Sequence, residues 1–98
     1  MGPLKRRKVE QALLAKGFER EETDHSVFVY CTTRGLRTLV KTRTSHGRGG
    51  DDIPVPILSA MRKQLRIEDD EFRRLVECPL KRDEYERILL SRGHIDET

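Results

Sequence analysis

The chain of 98 residues has no tryptophan, and its aromatics are limited to three Phe and two Tyr. With so few large rings, each Phe and Tyr is expected to matter for packing. No apolar run approaches the ~20 residues that a membrane-spanning helix needs. No N-terminal apolar stretch matches the ~7–15 residues of a secretory signal core. The two cysteines, Cys31 and Cys78, have neither the spacing of a zinc site nor the density of a disulfide framework. The simplest reading is a small cytoplasmic protein with reduced thiols. Phosphate-cradling glycine loops, calcium loops and serine-triad signatures are also missing. The paired acids Asp51-Asp52 and Asp69-Asp70 read as loop and cap residues, because adjacent side chains do not usually converge on one ion. No metal and no cofactor is expected.

What the chain does have is charge. Charged residues make up 38 % of it against 35 % hydrophobic, a thin core under a heavily charged surface. The length suits one domain. The net charge of +3 is unevenly spread. Residues 1–50 hold eleven Lys/Arg against five Asp/Glu, a net of +6, and residues 51–98 hold nine against twelve, a net of −3. Clustered cations release counterions from a phosphate backbone, so the first half is the natural dock for a polyanion.

Hydrophobic spacing predicts a helix over 5–16, with Val9, Ala12, Leu13 and Leu14 on its apolar side and Gly17 as its stop. Its first turn carries Lys5, Arg6, Arg7 and Lys8, charges that oppose the helix dipole. A short extended segment over 18–23 precedes two β-branched stretches, 25–33 and 36–44, joined by Arg34-Gly35. So short a connection implies an antiparallel hairpin. The glycine-rich stretch 45–52 reads as a loop. Pro54 and Pro56 introduce a helix to about residue 66, with Ile57, Leu58, Met61 and Leu65 on one stripe. Two acidic helices follow. Asp69 or Asp70 is expected to cap one carrying Phe72, Leu75 and Val76, and Asp83 another carrying Tyr85, Ile88 and Leu89. The order α-β-β-β-α with two added helices defines an α+β domain, with helices on one face of a three-stranded antiparallel sheet. Residues 1–67 would form the central unit, and 68–98 a helical extension packed on it.

Alternation along the strands separates two faces. Phe28, Tyr30, Leu36 and Val40 are expected under the helices. His25, Val27, Val29 and Cys31 would lie opposite, beside Arg37, Leu39, Lys41 and Arg43. A histidine there can take or give a proton near neutrality. On RNA, a base that removes a ribose 2′-OH proton lets that oxygen attack the adjacent phosphorus, and cations stabilise the charge that grows on the phosphate. His25 is the candidate base. Arg37, Lys41, Arg43 and Arg48 are the candidate cations, and His46 lies in the loop after the last strand.

The order of short motifs resembles the HicA (YcfA-like) family of toxin mRNA interferases. A first helix ends in Gly17-Phe18, and Thr23-Asp24-His25-Ser26-Val27-Phe28 stands where the family has Gly-Ser-His-x-x-aromatic. Ser45-His46 opens the loop after the second hairpin strand, and the helix from Ile57-Leu58 through Leu65 closes the unit. The resemblance runs from Val9 to about Ile67. It implies a double-stranded-RNA-binding-like fold, metal-independent cleavage of mRNA with His25 as catalytic residue, and His46 as a substrate-side residue. It also implies a HicB-like antitoxin as partner. The chain departs from the family by placing a carboxylate, Asp24, beside His25, and by its extension from Glu68 onward. The alternatives are a non-catalytic RNA-binding module, or a protein-interaction module in which the apolar residues of the extension make a homodimer or adaptor face. The reading against the latter has those residues pack back on the sheet, as a thin core requires.

Overall fold

A computed structural model describes residues 2–22, 26–44, 52–77 and 79–95. After a two-residue strand β1 (Leu4–Lys5), helix α1 (Arg6–Ala15) buries Val9, Ala12 and Leu13. Its first turn has no acidic residue and Lys5 at its N-cap makes no side-chain cap. Neither local device stabilises this end, so tertiary burial of the apolar side holds the helix. Leu14, expected in the stripe, is 44 % exposed. It lies one position beyond Leu13, about 100° further round the helix, and so turns away from the core. Gly17, at φ +98°, ends the helix, and its carbonyl accepts a hydrogen bond from the Cys31 N–H at 3.0 Å.

Strands β2 (Phe18–Glu22), β3 (Ser26–Cys31) and β4 (Arg37–Thr44) form an antiparallel sheet in the order β2-β3-β4. Phe18 pairs with Tyr30, Arg20 with Phe28, and Phe28 with Thr42. The inner face carries Phe18, Phe28, Tyr30, Val40 and Thr42, all buried. Leu36 is an exception to the expected inner set at 46 % exposed. It belongs to the turn rather than to a strand: its carbonyl and N–H bond the N–H and hydroxyl of Thr32 across Gly35, at φ +85°.

β5 (Asp52–Ile53) pairs antiparallel with β1, Leu4 opposite Ile53. Helix α2 (Val55–Gln64) follows, with Pro54 at its N-cap and a proline within its first two positions. It buries Leu58 and Met61, with Leu65 just beyond it. Ile57 is 51 % exposed, because it sits on the flank of the stripe rather than in it. Helix α3 (Asp69–Glu77) has Glu68, not an aspartate, at its entry. The Glu68 carbonyl accepts from the Phe72 N–H, and the Glu71 carboxylate accepts from the Glu68 N–H at 2.8 Å. Helix α4 (Arg82–Ser91) likewise starts after Lys81, whose N–H bonds Glu84, while Asp83 pairs with Arg87. In both, a glutamate three residues in reaches back to the entry N–H, which leaves the aspartates free for i,i+4 ion pairs.

The extension is part of the core. Phe72, Leu75, Tyr85 and Leu89 are fully buried in one cluster with Val9, Leu13, Phe28 and Tyr30. These side chains pack inward and offer no exposed adaptor face. Phe18, Tyr30 and Tyr85 touch ring to ring, with centroids 5.1–5.8 Å apart. Arg82 donates from one Nη2 to the carbonyls of Cys31 and Thr32, at 3.0 and 2.9 Å. A Cβ on Gly17 would collide with this guanidinium. Among the described residues no helix is long and apolar enough to cross a membrane.

Candidate nucleic-acid interface

The face of the sheet turned away from the helices is graded in charge. β2 contributes Glu19 and Glu21, β3 contributes Val27, Val29 and Cys31, and β4 contributes Arg37, Leu39, Lys41 and Arg43. Arg37 and Glu21 form an ion pair across the middle strand. Val29 lies between their pairing positions, flanked by Glu19 and Lys41, and is only 2 % exposed. Lys41 and Arg43 have no ion-pair partner among the described residues. Of the three expected cations on β4, Arg37 is therefore the one paired with a carboxylate among the described residues.

The β3–β4 ladder is interrupted. Val29 pairs with Lys41 and Cys31 with Arg37, so residues 38–40 face Tyr30 alone. The Thr38 hydroxyl closes this bulge: it donates to the Tyr30 carbonyl at 2.7 Å and accepts from the Val40 N–H at 3.1 Å. Leu39 rides on the crest and is 95 % exposed. Bulges commonly re-aim a side chain beside a functional surface. On one side of Leu39, a cleft of about 400 Å³ is walled by Val27 and Leu39 and ringed by Lys41, Arg43, Gln64 and Arg66. Gln64 and Arg66 come from the end of α2 and the turn after it, and Arg66 adopts φ +66°. Neither was expected from the sequence. Their approach to β4 is a tertiary event, and the only advance signal was that both are polar at the end of an apolar stripe.

His25, His46 and Arg48 lie outside the described residues, as does Asp24. Their flanks are described. Ser26 and Thr44 are partners at the end of the β3–β4 ladder, so the segments holding the two histidines join the sheet side by side. A polar frame fixes this end. The Thr44 hydroxyl donates to Glu10 at 2.6 Å, and the Ser26 hydroxyl donates to Glu22 at 3.2 Å. Arg20 reaches Glu22 at 2.6 Å and Ser26 at 3.3 Å while lying over the Phe28 ring.

The hairpin end is fixed by α4. Glu86 accepts from the Tyr30 hydroxyl at 2.8 Å, the Thr33 N–H at 2.7 Å and the Thr33 hydroxyl at 3.0 Å. Burial pushes the Glu86 carboxyl up, but these donors and the Arg82 charge outweigh it and hold the group below its ordinary value. Burial and the Glu86 carboxylate push the Tyr30 phenol far up, despite the opposing pull of Arg82. Burial, then the Glu19 carboxylate, raises the Cys31 thiol above its ordinary value. Among the described residues no three His, Cys, Asp or Glu side chains are grouped to hold a metal ion. No protein-family model matches the chain, and neither the curated proteins nor the solved structures give a match.

Proposed function

We propose that the protein acts on RNA, as a HicA-like endoribonuclease toxin, with the RNA backbone along β4 and His25 as general base and acid. The observation that carries this reading is the Ser26–Thr44 pairing at the end of a strand whose Lys41 and Arg43 are unpaired among the described residues. It gives the segments that hold His25 and His46 a common point of departure beside two available cations. The α+β frame, with helices on one sheet face, supports the double-stranded-RNA-binding-like arrangement that the resemblance implies. In the proposed step, His25 takes the 2′-OH proton and the 2′-oxygen bonds to the adjacent phosphorus. The bond to the 5′-oxygen breaks, and that oxygen leaves with the proton that His25 gives back as general acid. The products are a 2′,3′-cyclic phosphate end and a 5′-hydroxyl end. Lys41 and Arg43 stabilise the charge on the phosphoryl oxygens. A HicB-like antitoxin and a cytoplasmic setting belong to the same reading.

Incubation with RNA in the presence of a chelator tests it. Cleavage with cyclic-phosphate ends, abolished by His25→Ala, is the expected result, and equal cleavage by both proteins overturns it. The second reading is RNA binding without cleavage, supported by Lys41 and Arg43, which carry no ion-pair partner among the described residues and can each hold a phosphate. It predicts intact RNA recovered from a salt-sensitive complex. Replacing both Lys41 and Arg43 with Gln should then lower the slope of log affinity against log salt by about 1.4, at roughly 0.7 per phosphate contact on a single strand.

A further inference from the structure

We propose that the cleft beside Leu39 seats one nucleotide of a single-stranded RNA, and that Gln64 selects bases carrying a keto group over bases carrying an amino group. The inference rests on the RNA reading above and adds a base-reading residue to it.

The argument starts from hydrogen-bond polarity. Gln64 carries one acceptor and two N–H donors. The hydroxyl of buried Thr42 donates to its Oε1 at 2.6 Å. That bond takes one lone pair of the carbonyl oxygen and leaves the amide nitrogen as a donor with no partner among the described residues. The other polar side chains of the cleft are Thr42, whose hydroxyl is engaged with Gln64, and the cations Lys41, Arg43 and Arg66, which can only donate. The cleft therefore offers donors to its ligand. Its remaining walls, Val27 and the exposed Leu39, are apolar. A nucleotide matches this set: its phosphate takes the cations and the flat face of its base takes the apolar walls. The volume of about 400 Å³ falls in the ~300–1,000 Å³ range of small-ligand sites. At the base edge the Gln64 amide donor discriminates. Uracil O4, or guanine O6 and N7, can accept from the Gln64 amide. At the position of that keto oxygen, the N4 amino group of cytosine and the N6 amino group of adenine would meet it donor against donor. A mismatched donor forfeits about one hydrogen bond, close to a fivefold difference in affinity.

The test uses 2′-O-methyl octamers of uridine and of cytidine, which lack the nucleophilic hydroxyl and stay intact, with binding followed by fluorescence anisotropy. The uridine octamer should bind about fivefold more tightly. Gln64→Glu presents an acceptor instead, so it should weaken both and reverse their order. Thr42→Val frees the amide to rotate and should bring the ratio close to one. Equal binding of the two octamers, with both lost in the Lys41→Gln/Arg43→Gln variant, overturns the inference and leaves the RNA reading standing. An unchanged uridine preference in Gln64→Glu, which alters an exposed position, also overturns it. Absence of binding to either octamer removes both. A hexaglutamate peptide that binds more tightly than the uridine octamer, through the same Lys41 and Arg43, overturns it in favour of an acidic protein segment.

Discussion

Phe28 and Tyr30 are wholly buried beneath the helices, while Leu39, on the neighbouring strand, is 95 % exposed on the other side of the same sheet. The inner face is closed by rings and aliphatic side chains drawn from both halves of the chain. The outer face is closed only in its middle, where the Arg37–Glu21 pair spans β3, and is left open along β4. Apolar burial holds the first together. The second retains charge that the fold does not neutralise. Stability and ligand binding should therefore be separable between residues that alternate along one strand.

The largest effect is expected on the inner face. Phe28→Ala should cost about 3–5 kcal/mol, read as a fall in the urea midpoint, because the surrounding rings cannot close the space. A loss below 1 kcal/mol would break the distinction between the faces. Next comes the clamp at the hairpin end. Glu86→Ala removes three hydrogen bonds to a carboxylate and should cost about 2–3 kcal/mol at neutral pH. Because the folded Glu86 and Glu71 carboxyls both lie below their ordinary values, their contribution is complete above the unfolded carboxylate range and is lost as pH falls through the folded values. Acid should thus destabilise the parent more than the Glu86→Ala variant, a difference that unfolding curves at pH 7 and pH 3 would measure. Thr38→Val should cost about 1 kcal/mol and speed hydrogen exchange at the Val40 amide, since the bulge loses the hydroxyl that closes it. Leu39→Ser should change stability by less than about 0.5 kcal/mol. A marked loss there would mean that the outer face is part of the core after all.

Much of this layout follows from period and composition. The apolar side of α1, the alternation of β3 and β4 and the inward packing of Phe72, Leu75, Tyr85 and Leu89 were all readable, because burial imposes a repeat on consecutive residues. What escaped depends on contacts distant in sequence, or on competition between neighbours. The β1–β5 pair joins Leu4 to Ile53 through two residues a side, too short to leave a pattern. Leu36 has strand chemistry, but the Thr32 hydroxyl and Gly35 claim it for the turn. Glu68 and Lys81 occupy helix entries that aspartates nearby seemed to fit, because Glu71 and Glu84 satisfy the entry N–H groups instead. Of the candidate site, the cations of β4 were evident from alternation. The neutralisation of Arg37 by Glu21 and the arrival of Gln64 and Arg66 required the third dimension. His25, His46 and Arg48 fall outside the described residues.

The ring contact of Phe18 and Tyr30 with Tyr85 has a consequence for the protein's birth on the ribosome. Tyr30 and its partner Glu86 are separated by 56 positions. At ~5–20 residues per second of synthesis, the hairpin waits on the order of several seconds for the side chains that cover it. During that interval the nascent strands show their greasy side to water or to a chaperone. Any activity that needs a finished sheet begins only once α4 has emerged from the exit tunnel.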